Sequence, residues 1–296
     1  KIEWIGAHNG KALFPIGGAW RAFARIKIGD SGYPLDIIHG YKIAPATALE
    51  TANLLTGLSK RSLMGLENVV RQRRSSMPLA GLLLKELIDR IRPGELTFSA
   101  VGVREGYVYE NMHADRIADD PLLSAAAALA ERDGRFGNSS DGLLEWLHPV
   151  ISGQNQRRRR LQFAVCALSD IDWREHPDYR ASIAFDRAIQ YPFFGITHTE
   201  RAFIALAVYL RYGGRPDDTR VARIGNLLSK RAVRRAETLG LGLRLAYRIS
   251  AGNPDFLNQS RLAVKNDRLS LVLPGGGAAP DRDRIKRRFV MPQPQN

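Results

Sequence analysis

The chain has 296 residues, 44% of them hydrophobic, and its 44 Lys and Arg outweigh 30 Asp and Glu to give a formal net charge of +14. That length can bury two cores at roughly 100–200 residues per domain, while the charge favours polyanions (nucleic acid, polyphosphate, nucleotides, an acidic membrane face) without choosing among them. The single cysteine, Cys166 in the apolar run FAVCAL, excludes an internal disulfide and a cysteine-based zinc site, reads as a small buried hydrophobe, and fits a reducing cytoplasm.

The most apolar stretches, LAGLLLKELI and FIALAVYLRY, are interrupted by charge, so neither supplies the roughly 18 apolar residues of a membrane span. In chain order, KALFPI reads as a strand, Gly17-Gly18 as a tight turn, and AWRAFARIKI as a helix with Trp20, Phe23 and Ile26 on one side. Pro45 opens a helix over IAPATALETANLL, and PLAGLLLKELIDRIRPG reads as a helix stopped at Pro93-Gly94. ELTFSAVG is a short strand, and GVREGYVYENM a second glycine turn leading into a short helix. Residues 1–112 thus alternate strand and helix, the pattern of an α/β layer whose ligands gather at the carboxyl ends of strands.

Around DRIADDPLL the pattern changes to helical periodicity, which predicts helices over LLSAAAALAER, DGLLEWLHPVIS, RRRRLQFAVCALSDI, ASIAFDRAIQ, ERAFIALAVYLRY and one long stretch from about Asp218 through Ile249. SRLAVKNDRLSLVLP alternates around Asn266-Asp267 as a hairpin, and RRFVMP reads as a further short strand. The domains expected are therefore 1–115 and 116–296. Residues 1–115 carry 15 basic and 11 acidic residues, leaving 29 and 19 in 116–296, so the excess divides as +4 and +10. RRRR at 157–160 and RDRIKRR at 282–288 supply much of it, and each run taken alone reads as a solvated helix face or tail.

A glycine pair between strand and helix lets backbone approach a ligand, and the unpaired N–H groups of the first helical turn attract an anion. The same pair also serves as a plain tight connection. The surrounding residues narrow the reading: PIGGAWRAFARIKIGDSGYPLDIIHGYKI, RQRRSSMPLAGLLLKELIDRI and FSAVGVREGYVYE resemble segments of the exopolyphosphatase and guanosine pentaphosphate phosphohydrolase (Ppx/GppA) family. DPLLSAAAALAER, FAVCALSDIDWREHPDYR and FFGITHTERAFIALAVYLRY resemble the helical carboxyl-terminal extension of its longer, alphaproteobacterial-type members. The resemblance covers about residues 12–212 in order.

The resemblance implies an α+β multidomain fold: part of an actin-like (ASKHA, ribonuclease H-like) α/β lobe, then a mostly α-helical HD-like domain with a short carboxyl-terminal β-hairpin. It implies the second lobe of a cytoplasmic phosphoanhydride hydrolase, with the catalytic carboxylates and a Gly-Gly-Gly-Ser loop on a first lobe expected to precede Lys1. It implies phosphate binding by Gly17, Gly18 and Ala19 and substrate contacts from Arg21 and Arg74, with Arg73 beside the latter. Ala19 stands where the family usually has Thr, which removes a hydroxyl and leaves the backbone donors. Arg104 and Glu105 are expected to fix their turn through a buried or half-buried ion pair. In the helical part, Ser169-Asp170 occupies the place of the HD fold's His-Asp pair and the upstream histidine is missing, so a non-catalytic relative without its own metal is expected. His176 reads as a helix-end or packing residue first and as a groove-lining residue second. Magnesium is implied for the intact enzyme with ligands mostly outside this chain, together with polyphosphate or guanosine alarmones as partners and a homodimer. A non-hydrolysing alarmone or polyphosphate sensor is the alternative, and nucleic-acid binding ranks last because no recognition helix or zinc finger is present.

Overall fold

The structure is a computed structural model, and it describes residues 8–65, 71–151, 155–266 and 268–273. The chain divides into two compact units, Lys1–Ala118 and Asp119–Asn296.

In the first unit, β1 (Ala12–Leu13), α1 (Gly18–Asp30), β2 (Lys42–Ile43), α2 (Pro45–Gly57), the short α3 (Lys60–Met64) and α4 (Arg71–Arg74), α5 (Met77–Ile91), β3 (Glu95–Thr97), α6 (Val103–Glu110) and α7 (Ala114–Ala118) follow in order. The sheet order is β1-β3-β2, with β1 parallel to β3 in the register Ala12↔Glu95 and Leu13↔Leu96, and β2 antiparallel to β3. The strand expected over KALFPI ladders only at Ala12–Leu13. Pro15 has no N–H to continue it. β3 likewise ends at Thr97, although Phe98 still donates to the Tyr41 carbonyl at 2.8 Å. Phe23 of α1, Phe98 and Tyr41 form the aromatic centre of the core, with ring centroids 5.9 Å (Phe23–Phe98) and 6.1 Å (Tyr41–Phe98) apart. α2 and α5 pack beneath them through Ala48, Ala52, Leu55, Ala80, Leu84 and Ile88.

The second unit is helical: α8 (Pro121–Asp133), α9 (Ser140–Ile151), α10 (Gln156–Leu168), α11 (Pro177–Gln190), α12 (His198–Arg211), α13 (Thr219–Ile224), α14 (Lys230–Ser250) and α15 (Pro254–Gln259), then a hairpin of β4 (Arg261–Lys265) and β5 (Arg268–Val272). Most starts carry the cap their sequence announces: Asp120, Asn155, His176, Thr197, Asp218, Ser229 and Asn253 each accept a first-turn N–H. His176 is thus a helix-end residue, its Nδ1 3.3 Å from the Asp178 N–H. The single helix expected from Asp218 through Ile249 is instead two, separated by a 3-10 turn at Gly225–Leu227, because Ser229 restarts the chain as an N-cap toward Ala232. α12 is buried over nearly its whole length and forms the axis of the unit. Against it, α14 approaches so closely that a Cβ on Gly240 would lie 2.5 Å from the Ala207 carbonyl oxygen. Buried Arg201 closes the carboxyl end of α11 by donating to the carbonyls of Ile189, Tyr191 and Phe193, and burial pushes its guanidinium down to about 10. The expected strand RRFVMP and the tail RDRIKRR lie outside the described residues. Among the described residues no helix is long and apolar enough to cross a membrane.

Candidate functional site

β1 and β3 are parallel neighbours, so the turns that follow them emerge at the same sheet edge. In the first turn Gly17 has φ 129° and ψ 171°, a region that essentially only glycine occupies. It is the N-cap of α1 and carries no side chain to satisfy the helix start. The N–H groups of Gly18, Ala19 and Trp20 therefore have no acceptor within the helix, and no acidic residue stands in the first turn. Gly18 differs: a Cβ there would lie 3.1 Å from Nη2 and 3.2 Å from Cζ and Nε of Arg73, so the guanidinium would have to shift to admit it. The guanidinium of Arg73, brought by α4, rests against the first helical residue of α1.

Arg21, one turn into α1, donates through Nη1 to the Ala100 carbonyl at 3.0 Å and so ties the first turn to the second. In the second turn the Ser99 hydroxyl accepts from the Val101 N–H at 3.2 Å, and Glu105 Oε2 accepts from the Gly102 N–H at 2.7 Å. Ile16 also approaches Gly102, whose Cβ would stand 3.6 Å from the Ile16 Cγ2. Glu105 is held below the usual carboxylate range, first by that Gly102 N–H and then by its own backbone N–H, with Arg104 and Arg21 adding attraction. The expected buried ion pair of Arg104 and Glu105 is not what fixes this turn. Glu105 is exposed and acts as a helix cap.

Gly17, Gly18, Ala19 and Arg21 are thus brought together, and the arginine joining them is Arg73. Arg74 points elsewhere, its Nη1 bonding the Met64 carbonyl. The sequence alone does not separate two adjacent arginines on a four-residue helix. The clue that distinguishes them is Gly18, whose missing side chain leaves room for one guanidinium.

In the helical unit, Asp170 is met by cations from its own chain. Arg135 reaches it through Nη2 at 2.6 Å and Nε at 3.0 Å, its backbone N–H adds a bond at 3.2 Å, and Arg211 Nη2 approaches at 3.4 Å. Arg211 is layered between the rings of Tyr212 and Tyr247, 4.0 and 3.9 Å from their centroids. Burial, with the Asp170 charge adding, pushes the Tyr247 phenol up to about 12. Ser169, the residue before Asp170, shares a 2.9 Å hydrogen bond with Tyr247. Nearby, Asp172 is paired with Arg187 at 2.9 Å, yet burial outweighs that attraction and raises its carboxyl. Sequence reading singled out Asp170 but neither Arg135 nor Arg211, which come from 35 and 41 residues away. Among the described residues no cluster of three or more His, Cys, Asp or Glu is arranged to hold a metal.

The described architecture is mostly helical, with a small α/β portion before it and a two-stranded hairpin near its end. Residues 122–291 match the family model described as exopolyphosphatase, C-terminal, so the chain belongs to the exopolyphosphatase (Ppx/GppA) family and carries its C-terminal portion. No curated protein matches the sequence.

Proposed function

We propose that the chain is part of a phosphoanhydride hydrolase that releases terminal phosphate from inorganic polyphosphate or guanosine pentaphosphate, and that the turn at Gly17–Ala19 is half of its phosphate cradle. The observation carrying this reading is the seat of Arg73 on Gly18. A helix N-terminus bears about half a positive charge, and a cation beside it is opposed by roughly 0.3–1 kcal/mol. Arg73 and Arg21 both stand at this end with no first-turn acid to offset them. A phosphoryl group reverses the balance, because it accepts from the unpaired amides and from a guanidinium fork together.

In the chemistry proposed, the amides of Gly18 and Ala19 and the fork of Arg73 hold non-bridging oxygens and stabilise charge that grows on the transferring phosphoryl group. Arg21 keeps the two turns in register through Ala100. Glu105 is occupied as a cap, so the base that orients the attacking water belongs to a part of the protein other than these turns. The magnesium ion implied by the resemblance finds no fitting donor set among the described residues. The second reading, a protein that binds alarmone or polyphosphate without cleaving it, draws on the same fact that the acid nearest this turn is committed to capping.

The test is orthophosphate release from polyphosphate by the intact protein with magnesium, against this chain alone. The intact protein is expected to be active and the chain inactive, with Arg73→Ala lowering turnover and Arg74→Ala doing so far less. Tight binding without any phosphate release by the intact protein would instead establish the sensor.

A further inference from the structure

The turn between α4 and α5, Ser75-Ser76, directly follows Arg73 and Arg74 and has no part in the chemistry above. Its two serines differ. Ser76 is half-buried, and its hydroxyl donates to the Arg73 carbonyl at 2.9 Å, so that oxygen is committed to holding the turn. Ser75 is exposed, and its hydroxyl makes no hydrogen bond among the described residues. Ser62, the other exposed serine that directly follows basic residues, shares its hydroxyl with Ser59 at 2.9 Å.

The surroundings of Ser75 suit a phosphorylated side chain better than a free hydroxyl. α5 starts with no side-chain cap and no acid in its first turn, because the Ser76 hydroxyl at the N-cap faces back to Arg73. The N–H groups of Met77 and Leu79 therefore have no acceptor within the helix, and Pro78 between them has no N–H. A phosphoserine carries a charge of about −1.5 to −2 at pH 7 with three acceptor oxygens, and at a helix start or beside arginines it makes roughly one to three charge-assisted hydrogen bonds. The neighbouring arginines are not equally available. Arg74 is spent on the Met64 carbonyl, whereas the exposed Arg73 lies against Gly18 with no carboxylate partner among the described residues.

We propose that Ser75 is a phosphorylation site whose phosphate draws Arg73 off Gly18 and so withdraws a cation from the Gly17–Ala19 turn. The donor is ATP, and the enzyme is a serine kinase with an acidic substrate cleft that selects arginines upstream of the acceptor. In the transfer the Ser75 Oγ bonds to the γ-phosphorus, the bond from that phosphorus to the β–γ bridging oxygen breaks, ADP leaves, and the hydroxyl proton passes to a base on the kinase. The effect on binding rests on the cradle reading proposed above, and the modification itself does not.

The full chain, incubated with ATP and an arginine-directed serine kinase, is expected to gain one phosphate that fragment mass analysis places on Ser75 and that Ser75→Ala lacks. Absence of that phosphate, or its arrival on Ser76 instead, overturns the site. With phosphoserine installed at position 75 during synthesis, phosphorus NMR should show the phosphate titrating below its ordinary value of about 6, and Arg73→Ala should return it there. The same titration in both chains overturns the engagement of Arg73. Calorimetry should show tripolyphosphate bound about tenfold more weakly, or worse, by the phosphorylated chain, as expected for losing one hydrogen bond to a charged group, with Ser75→Ala binding as the parent does. Equal affinity with and without the phosphate, where Arg73→Ala does weaken binding, overturns the switch and leaves the cradle standing. If Arg73→Ala does not weaken binding, the cradle fails and the effect on binding fails with it, while the phosphorus titration still decides the contact.

Discussion

The two glycines of the first turn make opposite demands, and substituting each by alanine separates backbone strain from ligand recognition. At Gly17 the observed φ of 129° is closed to an alanine, so Gly17→Ala must bend the turn or bear strain of about 1–3 kcal/mol. At Gly18 the backbone is helical, and alanine is the better helix former by up to about 1 kcal/mol. The added methyl would instead sit 3.1–3.2 Å from three atoms of the Arg73 guanidinium, tighter than ordinary contact, so the side-chain end must move. Gly18→Ala is therefore expected to leave stability unchanged or slightly raised while weakening binding of a phosphate chain. Loss of one hydrogen bond to a charged group corresponds to about 1.5–3 kcal/mol, or roughly 10- to 100-fold. Urea unfolding and equilibrium titration of tripolyphosphate on the same samples provide the two readouts. If Gly18→Ala binds tripolyphosphate as well as the parent does, Arg73 has no part in recognition and the cradle reading fails.

Further outcomes follow from the helical unit. Asp170→Ala removes the acceptor of two guanidinium groups, one of them deeply buried, and is expected to cost about 3–5 kcal/mol in urea unfolding. A destabilisation below about 1 kcal/mol would show that solvent already compensates those charges. Gly240→Ala places a methyl 2.5 Å from the Ala207 carbonyl oxygen, and the overpacking, about 1–3 kcal/mol, should outweigh the propensity gain of about 1 kcal/mol and lower the midpoint of thermal unfolding. Asp133 is held down to about 2, first by Arg132 and then by Arg187. Because its folded value lies below the ordinary 3.8, its contribution is present above that pH and is lost as pH falls toward 2. The drop in urea midpoint between pH 4.5 and 2.5 should accordingly be smaller in Asp133→Asn than in the parent.

Much of the second unit was legible because its helices announce their starts. Asp120 before Pro121, Thr197 with Glu200 three residues on, and Asn155 before the arginine run are caps that local chemistry nearly dictates. The break before Ser229 was obscured, since the apolar periodicity on either side of Gly225–Leu227 continues in phase and only the capping serine marks the restart. The two-residue β2 was not anticipated, for its pairing with β3 is a tertiary event that Lys42-Ile43 alone does not encode. At the candidate site, the turn glycines were visible as sequence and their separate purposes were not. Gly17 answers to its own dihedral angle, whereas Gly18 answers to a residue 55 positions away.

The way Asp170 is neutralised has a consequence for how the helical unit withstands its surroundings. Its countercharges are tethered to the polypeptide at Arg135 and Arg211 and arrive with folding itself. Unlike a carboxylate that waits for a dissolved cation, it cannot be emptied by a chelator or by scarcity of a trace element. The thermal midpoint of the unit should accordingly be the same in EDTA as in buffer supplemented with divalent salts.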